Sequence, residues 1–243
     1  LVLFWDDPAP YVEEAHQRGI KVYIQVGLVA EAQAAAEAGV DAVIAQGSET
    51  GGHVNSTTAL SILVPEVVDA VHPLPVIASG GIANGRGIVS ALSLGAQGVS
   101  MGTRFLCSNE SLAAQEYKDR VVRSKADDTV RTGLFDVGFP DAPHRVLRNT
   151  IVDEWEVAER PESGQRPGEG STIGTVTRFR VPMNLVKYAS SSVLTVGFEG
   201  DIEQAVLYAG ESSSLVNDIK PAGQIVRDLV TEAQEVIDQM KPT

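Results

Sequence analysis

Three glycine-containing turns carry the residues that could do chemistry. Ser79-Gly80-Gly81-Ile82 follows the apolar run Pro75–Ser79 and precedes a helical pattern that opens at Asn84. Glycines at the end of a strand let the backbone come close to a ligand. A helix behind them offers N–H groups and a positive dipole end to an anion. Met101-Gly102-Thr103-Arg104 repeats the arrangement after the next apolar run. Glycine turns after two consecutive strands form a phosphate site in (β/α)8 barrels; a pair of ordinary tight turns is the alternative. The third turn is Gln46-Gly47-Ser48-Glu49-Thr50-Gly51-Gly52-His53. Two glycines before a histidine can fold the loop over a flat ligand and present an imidazole, which serves as general base or hydrogen-bond donor near neutral pH. A surface histidine is the competing reading of His53.

The elements that must position these turns repeat along the first hundred residues. Apolar runs Leu1–Trp5, Lys21–Val26, Val40–Gln46, Pro75–Ser79 and Gln97–Met101 show little alternation, as strands buried on both faces do. Helical patterns lie between them at Pro8–Arg18, Ala30–Ala38, Thr57–His72 and Asn84–Leu94. Strand–helix alternation predicts an α/β fold with a parallel sheet. A doubly wound sheet and a (β/α)8 TIM barrel both read this way, and a barrel needs eight strands where five are visible. The paired glycine turns point to the barrel, with its first three βα units absent from this chain. Beyond Phe105 the patterning predicts helices over Asn109–Lys125, Ala142–Glu156, Asp201–Tyr208 and Pro221–Met240, with a mobile polar loop at Glu159–Thr172. The expected organisation is residues 1–108 as strands four to eight of the barrel, 109–208 as a mostly helical substrate lid, and 209–243 as a closing segment and helix.

Composition narrows the function. The 243 residues are 43% hydrophobic and 21% charged, with a net charge of −13. Such acidity lacks the basic footprint that nucleic acid or an anionic membrane attracts. No apolar run approaches a membrane span. One cysteine and four scattered histidines provide no disulfide framework and no metal set. His16, His72 and His144 read as structural, and Cys107 as a small buried hydrophobe. No P-loop occurs, and Gly85-Arg86-Gly87 lacks the third glycine of a dinucleotide fingerprint. A cytoplasmic setting is expected.

Taken together, AQGSETGGH (45–53) and PVIASGGIANGRGIVSALSLGAQGVSMGTRF (75–105) resemble the nitronate monooxygenase family. The likeness continues through DDTVRTGLFD (127–136), PHRVLRNTIVDEW (143–155) and YAGESSSLVNDIKPAGQIV (208–226), covering nearly the whole chain. It implies an FMN-dependent barrel enzyme. Gly80, Gly81, Gly102 and Thr103 match the positions that hold the FMN phosphate, with Ser79 and Met101 beside them. Gln25 and Gln46 match positions near the isoalloxazine, and His53 matches the active-site histidine. The implied reaction oxidises an alkyl nitronate (or nitroalkane) with oxygen to a carbonyl compound and nitrite. The partners would be that small molecule and oxygen, with neither nucleic acid nor membrane; a homodimer is left open.

Two residues depart from the family pattern. Thr50 stands where Ala is usual, and Glu211 follows Tyr208-Ala209-Gly210 where Gln is common. Two other functions fit the same scaffold. One is an FMN-dependent NAD(P)H reductase of the quinone reductase or enoyl-ACP reductase kind; the other is a flavin-binding protein without turnover.

Overall fold

The computed structural model describes residues 1–178 and 181–241. In the first part of the chain the elements are β1 (Val2–Phe4), α1 (Ala9–Gln17), β2 (Tyr23–Val26), α2 (Val29–Glu37), β3 (Ala42–Gln46), β4 (Gly52–His53), α3 (Leu60–Val71), β5 (Val76–Ser79), α4 (Gly85–Ser93) and β6 (Gly98–Ser100). They continue with α5 (Thr103–Leu106), α6 (Gln115–Arg123), β7 (Thr129–Thr132), β8 (His144–Leu147), α7 (Thr150–Val157), β9 (Thr172–Arg178), β10 (Val181–Val186), β11 (Glu199–Gly200) and α8 (Ala222–Met240). Two compact units result. The first comprises Leu1–Thr50, Val54–Met101 and the stretch that begins at Gly223; the second comprises Gly51–His53 and Gly102–Ala222.

The first unit is an α/β layer. Its five-stranded parallel sheet has the order β1-β2-β3-β5-β6. This order follows the chain without the reversal that defines a doubly wound sheet. The two faces of the sheet differ. Ile24, Val26, Val43, Ala45, Val76 and Ala78 are buried in the apolar core together with Leu63, Val64 and Val67 of α3. Strand periodicity sends the alternate residues to the opposite face. There, register aligns Phe4, Gln25, Ile44, Ile77 and Gly98 in one row. Gln46, Ser79 and Ser100 align in the next row toward the strand C-termini.

The second unit corrects the expectation of a mostly helical segment. It holds two antiparallel three-stranded sheets, β4-β8-β7 and β10-β9-β11. Ala142–Glu156 is not one helix. Its first half forms β8 between β4 and β7, which occupies the backbone groups that helical bonds would need, so α7 begins only at Thr150. Asn109–Lys125 is helical only from Gln115. Upstream, Ser108 Oγ accepts from Ser111 N at 3.2 Å and Ser111 Oγ from Ala113 N at 3.2 Å. Serine side chains bonded to nearby amides compete with helix formation in this way. Asp201–Tyr208 is a short 3₁₀ turn at Ile202–Gln204, after which Val206 and Tyr208 bridge to Val193 and Val146. The closing segment 209–243 does contain the expected terminal helix, and its last two residues lie outside the described residues.

The Gly/Pro loop expected to be mobile is anchored from within. The Arg166 side chain is only 2% exposed and pairs with Asp136 at 2.6 Å and Glu169 at 2.7 Å. It also donates to the Leu134 carbonyl at 2.5 Å and lies over the Tyr188 ring at 4.6 Å. The guanidinium holds the Glu169 carboxyl down at about 2. No helix among the described residues is long and apolar enough to cross a membrane. Replacing Arg166 by Met strands two carboxylates, and such a loss costs about 3 kcal/mol. Urea unfolding of Arg166→Met is expected to show that loss, and the Glu169 titration followed by NMR is expected to climb from about 2 toward its ordinary 4.5.

Candidate active site

In the first unit the C-terminal ends of β1, β2 and β3 and residues of α2 line a cavity of about 360 Å³. Phe4 and Trp5 after β1, Gln25 and Gly27 at the end of β2, Gln46 at the end of β3, and Asn55 line it. That volume is at the small end of the range typical of ligand pockets. Glu31 orders one wall, accepting from Gly27 N at 2.7 Å and from Asn55 Nδ2 at 2.5 Å. Gln25 and Gln46, both singled out in the sequence, therefore share one face and one cavity. Ser79 shares that face as the register partner of Gln46. Met101 does not, because its side chain packs against the helix-side core. Only its backbone is available toward the other face. Trp5, Glu31 and Asn55 escaped the sequence reading, since single loop residues carry no periodic signal and one acidic residue in a first helical turn reads as an ordinary cap.

The turn after β5 has the conformation that its glycines suggested. Gly80 and Gly81 have φ of +120° and +67°, which residues with a Cβ rarely adopt. The helix behind them departs from expectation. Of the first amides of α4, Gly85 N already donates to Glu232 Oε2 at 2.8 Å and Gly87 N to Asn84 Oδ1 at 2.9 Å. Two donors assumed available to an anion are thus occupied, and one faces a carboxylate. An anion here would find fewer helix-end amides than the sequence suggested, and the turn amides gain weight.

In the second unit, His53 sits on β4 opposite His144 of β8. The two glycines ahead of it have different reasons to be glycine. A Cβ on Gly51 would lie 2.2 Å from Gly210 N, so the backbones touch there. Gly52 has open space around it but a φ of +80°. The His53 ring is half-buried among Phe139, Tyr208 and His144, with centroids at 4.8, 5.4 and 5.5 Å. Burial lowers the His53 pKa, so the imidazole stays neutral near pH 7.

His144 is fixed in one form. Its Nε2 accepts from Phe135 N at 3.2 Å, and its Nδ1–H donates to the Ala142 carbonyl at 2.9 Å. Both nitrogens are used by the neutral ring, and burial depresses its pKa to about 4. Gly52, Gly102, Thr103, Tyr117 and Tyr208 line a second cavity of about 390 Å³, whose other walls include Leu112 and Leu194. Thr103 Oγ1 accepts from Gly210 N at 3.0 Å and keeps its proton for another acceptor. The departure at Glu211 has a local partner, Arg145, at 3.1 Å. Cys107 is fully buried with its thiol pushed up to about 11, as a structural cysteine is.

The first unit is an α/β scaffold with a largely apolar cavity that carries Gln25 and Gln46, and the second unit holds a neutral histidine among aromatic rings. Residues 2–232 match the nitronate monooxygenase family, and the chain belongs to that family. A nitronate monooxygenase from Neurospora crassa is 33% identical over 246 residues, covering 95% of this chain and 58% of its own length. The chain thus spans a little under three fifths of that curated relative. FabK from Thermotoga maritima superposes with a TM-score of 0.78 at 32% identity, over 98% of this chain and 69% of its own. A nitroalkane oxidase from Streptomyces ansochromogenes superposes with a TM-score of 0.75 at 25% identity, over 99% and 66%.

Burial of the His144 ring makes stability depend on pH. His144 binds a proton near 6.5 when unfolded and near 4 when folded. The unfolded chain therefore takes up more protons between those values, and stability falls as pH drops through that window. The effect is on the order of 2–3 kcal/mol. Denaturant midpoints between pH 7 and pH 4 are expected to fall, and His144→Gln is expected to flatten that dependence.

Proposed function

We propose that this chain forms the C-terminal five strands and the adjoining segment of an FMN-dependent (β/α)8 enzyme that oxidises alkyl nitronates with oxygen. The carrying observation is His53, kept neutral by burial and presented by Gly51-Gly52, on a chain of the nitronate monooxygenase family. The monotonic strand order and the length of the relatives support the barrel. Family membership, the glycine turns and the polar sheet face support the flavin.

The residues present fit FMN. Gln25 and Gln46 offer amides to a ring in the cavity at the strand ends, and Ser79, Gly80 and Gly81 provide a backbone cradle for the phosphate. Gly102 and Thr103 are assigned to the phosphate as well, with the Thr103 hydroxyl as donor. When bound, FMN accepts the electrons that the nitronate gives up. The protein supplies position and proton control. A neutral His53 donates one hydrogen bond to the anionic nitro group of a nitronate, orienting it. With a neutral nitroalkane, the same ring takes the proton from the carbon that bears the nitro group. The surrounding rings keep water from competing for that proton. A cytoplasmic setting completes the proposal.

An anaerobic flavin titration tests the reading. Bleaching by a primary alkyl nitronate, with no change on adding NADH, is the expected result. Bleaching by NADH alone transfers the chain to the reductase reading, and no change with either donor leaves a binding protein. In His53→Asn, turnover of neutral nitroalkane is expected to fall about 10²-fold or more while nitronate turnover is retained to a greater degree, since only the base is removed. Equal losses on both substrates would show that His53 does not act as the base.

A further inference from the structure

The residue that departs from the family pattern in the His53 loop makes contacts that the phosphate turn needs. Thr50 Oγ1 lies 2.8 Å from the Gly47 carbonyl and 3.2 Å from the Ser79 carbonyl. The Ser79 carbonyl also accepts from Gly47 N at 2.9 Å. The Gly47 amide thus donates to the peptide that joins Ser79 to Gly80, and the single Thr50 hydroxyl proton is shared between the Gly47 carbonyl, the nearer acceptor, and the Ser79 carbonyl. A trans peptide is planar, with its N–H opposed to its C=O. Clamping the Ser79 carbonyl toward Gly47 and Thr50 therefore aims the Gly80 N–H away from that loop.

The absence of a side chain at position 80 leaves room for the same hydroxyl. A Cβ on Gly80 would lie 2.4 Å from Thr50 Oγ1, so the hydroxyl is seated where a side chain at position 80 would go. The loop that carries Thr50 is itself held: Glu49 accepts from Leu60 N at the start of α3 at 3.1 Å. The first amides of α4 give less help, because Asn84 and Glu232 already occupy Gly87 N and Gly85 N. The orientation of the turn amides therefore matters more to an anion placed here.

We propose that Thr50 is a positioning residue for the phosphate end of the flavin, fixing the Ser79–Gly80 peptide so that the Gly80 amide faces the phosphate. The inference rests on the FMN reading above and assigns a role to a hydroxyl that Ala would not supply. Val matches Thr in shape but lacks the donor; Ser keeps the donor. Loss of one such hydrogen bond at an oriented donor corresponds to about fivefold to tenfold in affinity.

The test measures dissociation constants of FMN and of riboflavin, which lacks the phosphate, for wild type, Thr50→Val and Thr50→Ser, by flavin fluorescence quenching on the apoprotein. Circular dichroism on each variant checks that it is folded. The expected result is that Thr50→Val weakens FMN fivefold to tenfold, leaves riboflavin unchanged, and is rescued by Thr50→Ser. Wild type that prefers FMN over riboflavin, with Thr50→Val showing the same preference, overturns the role of Thr50 and leaves the flavin reading intact. Equal weakening of both ligands also overturns it, as a general effect on the fold. Wild type that binds FMN no better than riboflavin, or binds neither, overturns the inference together with the phosphate reading on which it stands.

Discussion

The amide of Phe135 donates to Nε2 of His144, and much of the second unit depends on that bond. With Nδ1–H given to Ala142, both ring nitrogens are spoken for, and a charged His144 would break one of the two bonds. The ring is therefore a fixed, uncharged wall. It lies across the β4–β8 ladder from His53, so the register of two short strands determines which ring His53 meets. A slip of one residue would put Arg145 or Pro143 there and send the imidazole to the other face. A two-residue strand holds this register because Gly51 packs directly on Ala209–Gly210.

The first unit solves a different problem, in which one sheet carries an apolar face toward its helices and a mixed face that buries polar groups. Its helix side takes Val, Ile and Ala, where burial stabilises at about 25 cal/mol per Å². The opposite side carries Gln25, Gln46 and Ser79 toward the strand C-termini. Gln46 is only 2% exposed, so its amide must be met by polar partners to sit there. Glu31 gives the cavity a rigid rim by engaging Gly27 N and Asn55 at once.

The sequence was most legible where one physical signal dominated. The five parallel strands were found because uninterrupted apolar runs alternate with helical patterns. Gly80, Gly81 and Gly52 stand out in the sequence as turns that let backbone approach a ligand, and the structure adds that each takes a positive φ. The second unit was not legible. HRVL forms a strand because β4, far away in the chain, and β7 take its backbone bonds, which no local pattern announces. Serine side chains withheld helix from residues that otherwise suit it. The rings around His53 come from positions 139, 144 and 208, gathered by tertiary structure alone. Met101 was near the right place, but alternation turned its side chain to the core.

Cys107 has a practical consequence. The protein has one sulfur nucleophile, and it is fully buried with its proton held to about pH 11. Thiolate is the reactive form, so thiol-directed alkylating reagents find little to attack in the folded chain. A cysteine introduced at an exposed position such as Leu112, which is 73% exposed, would then be the dominant reactive thiol. A single reporter dye could be attached there without first removing the native residue, and any slow labelling of Cys107 would serve as a clock for unfolding.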